Sequence, residues 1–175
     1  MKNIVATLSL LFATTLSAQV AIGKTSISSP AVSLEFYDNA DNTRGIILPW
    51  VTSTAAVTGA VNGTLVYNTA DRKVYVKYAS GWRDLSVDNT GTVTTTLQDS
   101  LTDQDTAKVL IGGDPATDTT PGILVLADTN KAMVLPKVAS PHLNIVNPSP
   151  GMMVYDTTKK LLAVYNGTVW SYWRQ

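Results

Sequence analysis

The sequence predicts a mainly β protein: two tandem small β-modules built on hairpins, each with a short helical turn, joined by a Thr/Asp-rich linker. Three observations carry that expectation. First, one phrase occurs twice. Gly63-Thr64-Leu65-Val66-Tyr67-Asn68-Thr69, closing at Trp82, returns as Gly151-Met152-Met153-Val154-Tyr155-Asp156-Thr157, closing at Trp170, and both ends of the phrase move by 88 residues. Leu48-Pro49 and Leu135-Pro136 precede the two copies, and Ile22-Gly23 and Ile111-Gly112 open them. Second, the apolar runs are short and several alternate with polar residues, the two-residue period of a strand. Third, Gly, Pro, Asn and Asp sit between those runs, where turns need them.

Taken in order, residues 1–18 read as a signal peptide: Lys2, then the apolar stretch Ile4 to Leu16, then Thr15-Leu16-Ser17-Ala18 as the cleavage site. The first β-module is expected over 19–86. Val20 to Thr25 starts it as a short strand ending at Gly23, and Val32-Ser33-Leu34-Glu35-Phe36 alternates as a half-buried strand should. Gly45 to Leu48 is an apolar strand stopped by Pro49, which has no N–H for a ladder. Thr52 to Gly59 lacks alternation and is assigned one or two helical turns. Thr64 to Asn68 and Val74 to Tyr78 form a hairpin over the polar loop Thr69 to Lys73. Residues 87–107, rich in Thr and Asp, read as an extended, solvated linker.

The second module, 108–175, repeats the plan. Strands are expected at Val109 to Gly112, Ile123 to Leu126 and Ala132 to Leu135. Ser140 is placed as the cap of a helix starting at Pro141, with Leu143 and Ile145 turned inward. Met152 to Asp156 and Leu161 to Tyr165 form the hairpin, and Asn166-Gly167 makes the next tight turn.

Composition narrows the function classes. Thirteen basic residues balance thirteen acidic ones, so nothing draws the chain to nucleic acid or an anionic membrane. No run after the signal is long enough for a membrane span. Glu35 is the single glutamate and His142 the single histidine, which leaves few groups for acid–base catalysis. There is no cysteine, so neither disulfides nor thiolate metal sites support the fold. A module of about 65 residues has a thin core. Two such modules gain from packing on each other or on further copies, which motivates a homo-oligomer.

The order Ile-Gly, alternating strand, Gly-Ile-Ile-Leu-Pro or Ala-Met-Val-Leu-Pro, Gly-x-x-Val-Tyr-Asn/Asp-Thr, hairpin and Trp resembles repeats in exported, tail-fibre-like surface proteins of gliding-type Gram-negative bacteria. Val20-Ala21-Ile22-Gly23-Lys24-Thr25 is similar to the entry of tail-fibre-like chains. The resemblance implies a structural or adhesive role and trimers; it implies no reaction. The family pattern places Arg after Leu-Pro, and here Trp50 and Lys137 stand there. Bacteria of the resembled group O-glycosylate exported proteins at Asp-Ser/Thr before a small or apolar residue, which makes Ser100 and Thr106 the candidate sites in the linker.

No catalytic constellation, cofactor site or metal site is assigned. Ser140 near His142 serves as a cap rather than a nucleophile, and Asp38, Asp41 and Asn42 lack the ordered spacing of a calcium loop. Tyr67, Tyr155, Trp82 and Trp170 occupy matched places in the two copies and are assigned to the core. Trp50, Tyr75 and Trp173 have no aromatic twin and are the candidate ligand or interface residues. The resulting expectation is an exported, non-enzymatic structural or adhesive surface component, fibre-like in form and extracellular, cell-surface or periplasmic in location. The alternative is a carbohydrate-binding module that meets surface glycans with exposed hairpin aromatics.

Overall fold

A computed structural model describes residues 19–102, 104 and 106–174. The signal peptide assigned to residues 1–18 lies outside the described residues. One order of elements runs twice. The first unit has β1 (Val20–Ile22), β2 (Val32–Phe36), β3 (Ile46–Ile47), β4 (Trp50–Val51), a 3-10 turn (Thr54–Ala56), β5 (Leu65–Asn68), β6 (Lys73–Tyr78) and β7 (Gly81–Asp84). The second has β8 (Val109–Ile111), β9 (Leu124–Leu126), β10 (Ala132–Val134), β11 (Lys137–Val138), α1 (Pro141–Asn144), β12 (Met152–Asp156), β13 (Leu161–Tyr165) and β14 (Trp170–Trp173). The fold is mainly β, as the alternation and turn residues predict.

Each unit closes on an antiparallel meander, β5-β6-β7 and β12-β13-β14, with a short parallel strand on its other edge, β4 on β5 and β11 on β12. The strand holding each Trp is a third strand that the hairpin reading did not include. Tyr75 pairs with Asp84, and Ala163 with Tyr172.

The units also exchange strands. β3 of the first unit pairs antiparallel with β12 of the second, Ile46 opposite Met153 and Ile47 opposite Met152. β10 of the second pairs parallel with β2 of the first, Val134 opposite Glu35. The main core therefore spans both units: Leu48, Tyr67, Val74 and Leu85 pack with Met153 and Val164. A second cluster, Val138, Ile145, Met152, Val154 and Ala163, lies inside the second unit.

Three expectations are corrected. β2 does not expose a polar face: it is central between β1 and β10, and Ser33 and Glu35 are buried with their apolar neighbours. Ser140 sits at the N-cap position of α1 but makes no side-chain cap; its φ is 45° and its hydroxyl meets Thr158 Oγ1 at 3.2 Å. Left-handed backbone turns the side chain away from the helix N–H groups, and Asp156 Oδ1 accepts from Ser140 N at 3.2 Å instead. With one turn of helix only, Ile145 reaches the core while Leu143 points to solvent. Finally, Tyr155 is not core. Its twin Tyr67 is fully buried because the second unit covers it, whereas Tyr155 keeps 36% of its surface exposed.

Candidate functional site

The feature that sets this molecule apart is the joint between its two units. It starts from the repeated phrase. Gly151 opens the second copy with φ 79°, and a Cβ there would lie 2.8 Å from Cβ of Tyr67. Glycine thus lets the ring of Tyr67 lie against the backbone of the second unit. The Tyr67 hydroxyl donates to the Asn166 carbonyl at 2.7 Å, and burial pushes its pKa up to about 12. Beside it, Trp50 Nε1 donates to the Pro150 carbonyl at 2.9 Å, and the two rings sit 6.1 Å apart.

A polar set closes the other end. Burial works against the charge of Glu35, yet the Lys24 ammonium at 2.9 Å and the Ser28 N–H at 2.7 Å outweigh it and hold the carboxyl down at about 2. Lys24 also meets Asp38 at 3.2 Å; the two carboxylates raise the Lys24 pKa, and Lys24 lowers that of Asp38. Asp38 reaches Lys137 of the second unit at 3.4 Å, and Asn42 Nδ2 donates to the Lys137 carbonyl at 3.1 Å. Ser33 Oγ and Asp128 Oδ2, 3.3 Å apart, add a further cross-unit bond. Lys137, one of the two residues standing where the resembled family has Arg, is thus held at the joint, and so is Trp50.

The residues singled out from the sequence are not gathered in one place. Trp50 seals the joint. Tyr75 is half-buried on β6, its hydroxyl donating to Asp71 at 2.6 Å; burial and that carboxylate together raise its pKa. Trp173 packs against the main core with the Arg83 guanidinium 5.8 Å from its ring centre. These two and Tyr78, Ala79 and Ser80 around them outline only a shallow depression. Ser100 and Thr106 are exposed. Asp41 accepts from Tyr37, while Asn42 binds backbone carbonyls. His142 Nδ1 lies 3.0 Å from the Tyr172 hydroxyl, and Ser140 Oγ meets Thr158 Oγ1.

The stretch following β7 is also drawn into the joint. Asn166 Nδ2 donates to Asp88 Oδ1 at 2.9 Å, and Thr92 Oγ1 donates to the Gly167 carbonyl at 3.1 Å. Ser171 Oγ donates to the Ser86 carbonyl. Val93 packs on the main core. The buried partners Asn166 and Ser86 escaped the sequence reading. Asn-Gly at 166–167 marks a turn in any context, and its burial comes from a segment some 75 residues away.

Among the described residues no helix is long and apolar enough to cross a membrane, and no cluster of three metal-ligating side chains occurs. No curated protein and no solved structure matches the chain. Residues 114–175, from the loop after β8 to the end of β14 and beyond, match the family described as phage tail like trimerisation region, so the second unit is similar to a structural, tail-fibre-like assembly module.

Proposed function

We propose that this protein is an exported, fibre-like structural component that works as a homotrimer. The observation that carries the reading is the match of residues 114–175 to a trimerisation region. The chain itself is consistent with it: a thin core shared between two units, and exposed apolar residues on β8 and β9. The apolar stretch Ile4 to Leu16 after Lys2 supports export. The outer surface of such a fibre is the natural place for an adhesive role. Light scattering on the mature protein is expected to give three times the chain mass at micromolar concentration. A monomer there would overturn the reading. The export step is checked separately by the N-terminal residue of the protein recovered outside the cytoplasm, expected at or near Gln19.

A further inference from the structure

The joint between the two units is half of a repeating pattern, and its other half is unfilled. Register identifies the twins. Val20 faces Leu34 in the first unit and Val109 faces Leu124 in the second, so β9 is the twin of β2 and Val125 of Glu35. β3 and β10 are twins through their Leu-Pro ends, Ile47 matching Val134. β5 and β12 are twins through the repeated phrase. Inside the chain, the first unit's β3 adds to β12 and the second unit's β10 adds to β2. Among the described residues the corresponding partners of β5 and β9 are absent: β9 pairs with β8 alone, and β5 lacks the added strand that β12 has.

The geometry points to a second copy of this chain as the occupant, joined head to tail by the same joint: β3 of one copy adds parallel to β9 of its neighbour, while the neighbour's β10 adds antiparallel to the start of β5. This rests on the homo-oligomeric reading above and names its surface. Exposure agrees at each side of the joint. Leu34 is 1% exposed and Leu124 46%; Tyr67 is 0% exposed and Tyr155 36%; Asn166 is 0% exposed and its twin Tyr78 41%. Gly151 is crowded by Tyr67, whereas a Cβ on Gly63 would meet nothing within 4 Å. Tyr155 of one copy therefore lies on Gly63 of the next, as Tyr67 lies on Gly151.

The hydrogen bonds are also specified. Val109 N–H donates to the Ile123 carbonyl and Ala127 N–H to the Ile111 carbonyl, so 123, 125 and 127 face β8 and the backbone of Leu124 and Leu126 faces the open edge. Leu48 N–H donates to Gly151 carbonyl, which turns residues 46 and 48 to β12 and the backbone of Ile47 outward. Ile47 N–H then donates to the Leu124 carbonyl of the neighbour, and the neighbour's Leu126 N–H donates to the Ile47 carbonyl. One departure must be absorbed. Ala132 stands where Gly45 does, and a Cβ on Gly45 would lie 2.6 Å from Val154 Cγ1, 2.8 Å from Met152 Cγ and 2.9 Å from the Met153 carbonyl oxygen. Thr64 is shorter than its match Met152, while Val66 keeps the side chain of Val154 and the Leu65 carbonyl stands for that of Met153, so β10 seats farther from β5 than β3 does from β12. A head-to-tail joint is heterologous, and it closes as a ring when the rotation allows; with three copies the ring holds six units.

Two variants test this. Leu126→Pro removes the N–H that donates to the Ile47 carbonyl across the joint and none that faces β8. It is expected to weaken the trimer by about tenfold or more, the scale of one to two backbone hydrogen bonds, with the monomer's circular dichroism unchanged. Ile47→Cys with Val125→Cys in one chain, which has no other cysteine, places paired thiols on adjacent strands about 4.8 Å apart, within disulfide reach. Oxidation is expected to give dimer and trimer bands that collapse on reduction. If Leu126→Pro loses its fold, the double cysteine variant decides alone. An oligomer that persists by light scattering but shows no cross-link overturns this joint and leaves the trimer reading standing. A wild-type monomer overturns both.

Discussion

At the scale of the residue, the chain's one glutamate carries a clear pH signature. Glu35 sits fully buried with its carboxyl held at about 2, well below its ordinary 4.5. A carboxyl whose folded pKa is depressed contributes stability above its unfolded value and loses that contribution as pH falls toward the folded one. Stability is therefore expected to drop between pH 4.5 and 2, with Asp38 adding in the same direction. Urea midpoints measured across that window should fall for the wild type and flatten for Glu35→Gln; equal slopes would show that Glu35 is not the group. The two phrase tyrosines give a second comparison. Tyr67→Phe leaves the buried Asn166 carbonyl without its donor and is expected to cost about 1–2 kcal/mol in chemical denaturation. Tyr155→Phe in a monomeric background should cost nothing measurable, because the residue stands at the surface. Residue identity was readable for both; their environments were not. Twin positions in a tandem pair need not be twins in burial, since only one of them faces the other unit.

At the scale of the element, the local signals were legible and the non-local ones were not. The two hairpins, the Pro-stopped strands and the short helical turn all follow from period and turn chemistry within a few residues of themselves. The strand Trp170–Trp173 was missed because Trp-Ser-Tyr-Trp shows no clean alternation; its four residues are all half-buried between core and solvent. β2 was read as half-buried because Ser33 and Glu35 are polar, but their partners Lys24 and Asp128 come from other elements. The loop of the β12–β13 hairpin is held by one side chain. Asp156 Oδ1 accepts from the backbone N–H of Ser140, Thr158 and Lys159. Asp156→Ala is expected to cost about 2–3 kcal/mol by thermal or urea unfolding. The twin Asn68 Oδ1 accepts from Ala70 N alone in that loop, and Asn68→Ala should cost about 1 kcal/mol. The two phrase glycines separate likewise. Gly151→Ala adds a contact with Tyr67 to the strain of a positive φ, about 3 kcal/mol together; Gly63→Ala carries only the strain, about 1 kcal/mol. Equal losses in a monomeric background would mean that Tyr67 does not press on the second unit.

At the scale of the whole molecule, the repeat unit of the sequence is not the unit of packing. β12 lies beside β3, and the main core draws on both halves. A fragment covering 108–175 would expose the edge at Met152 and Met153 that β3 covers, and it is expected to show poor chemical-shift dispersion or to associate; a well-dispersed monomeric spectrum would count against a shared core. The two-copy architecture was legible because repetition survives in short motifs. The exchange of strands was not, because backbone pairing leaves little trace in side-chain identity when both partners are short and apolar. That exchange bears on how the chain comes into being. Ile46 finds its partner only at Met153, 107 residues further on. At synthesis rates of roughly 5–20 residues per second, the first half waits about 5–20 seconds with its pairing edges bare. Contacts so distant along the chain also make folding slow once synthesis ends. A nascent chain that cannot finish folding halfway through stays pliable for as long as it is incomplete.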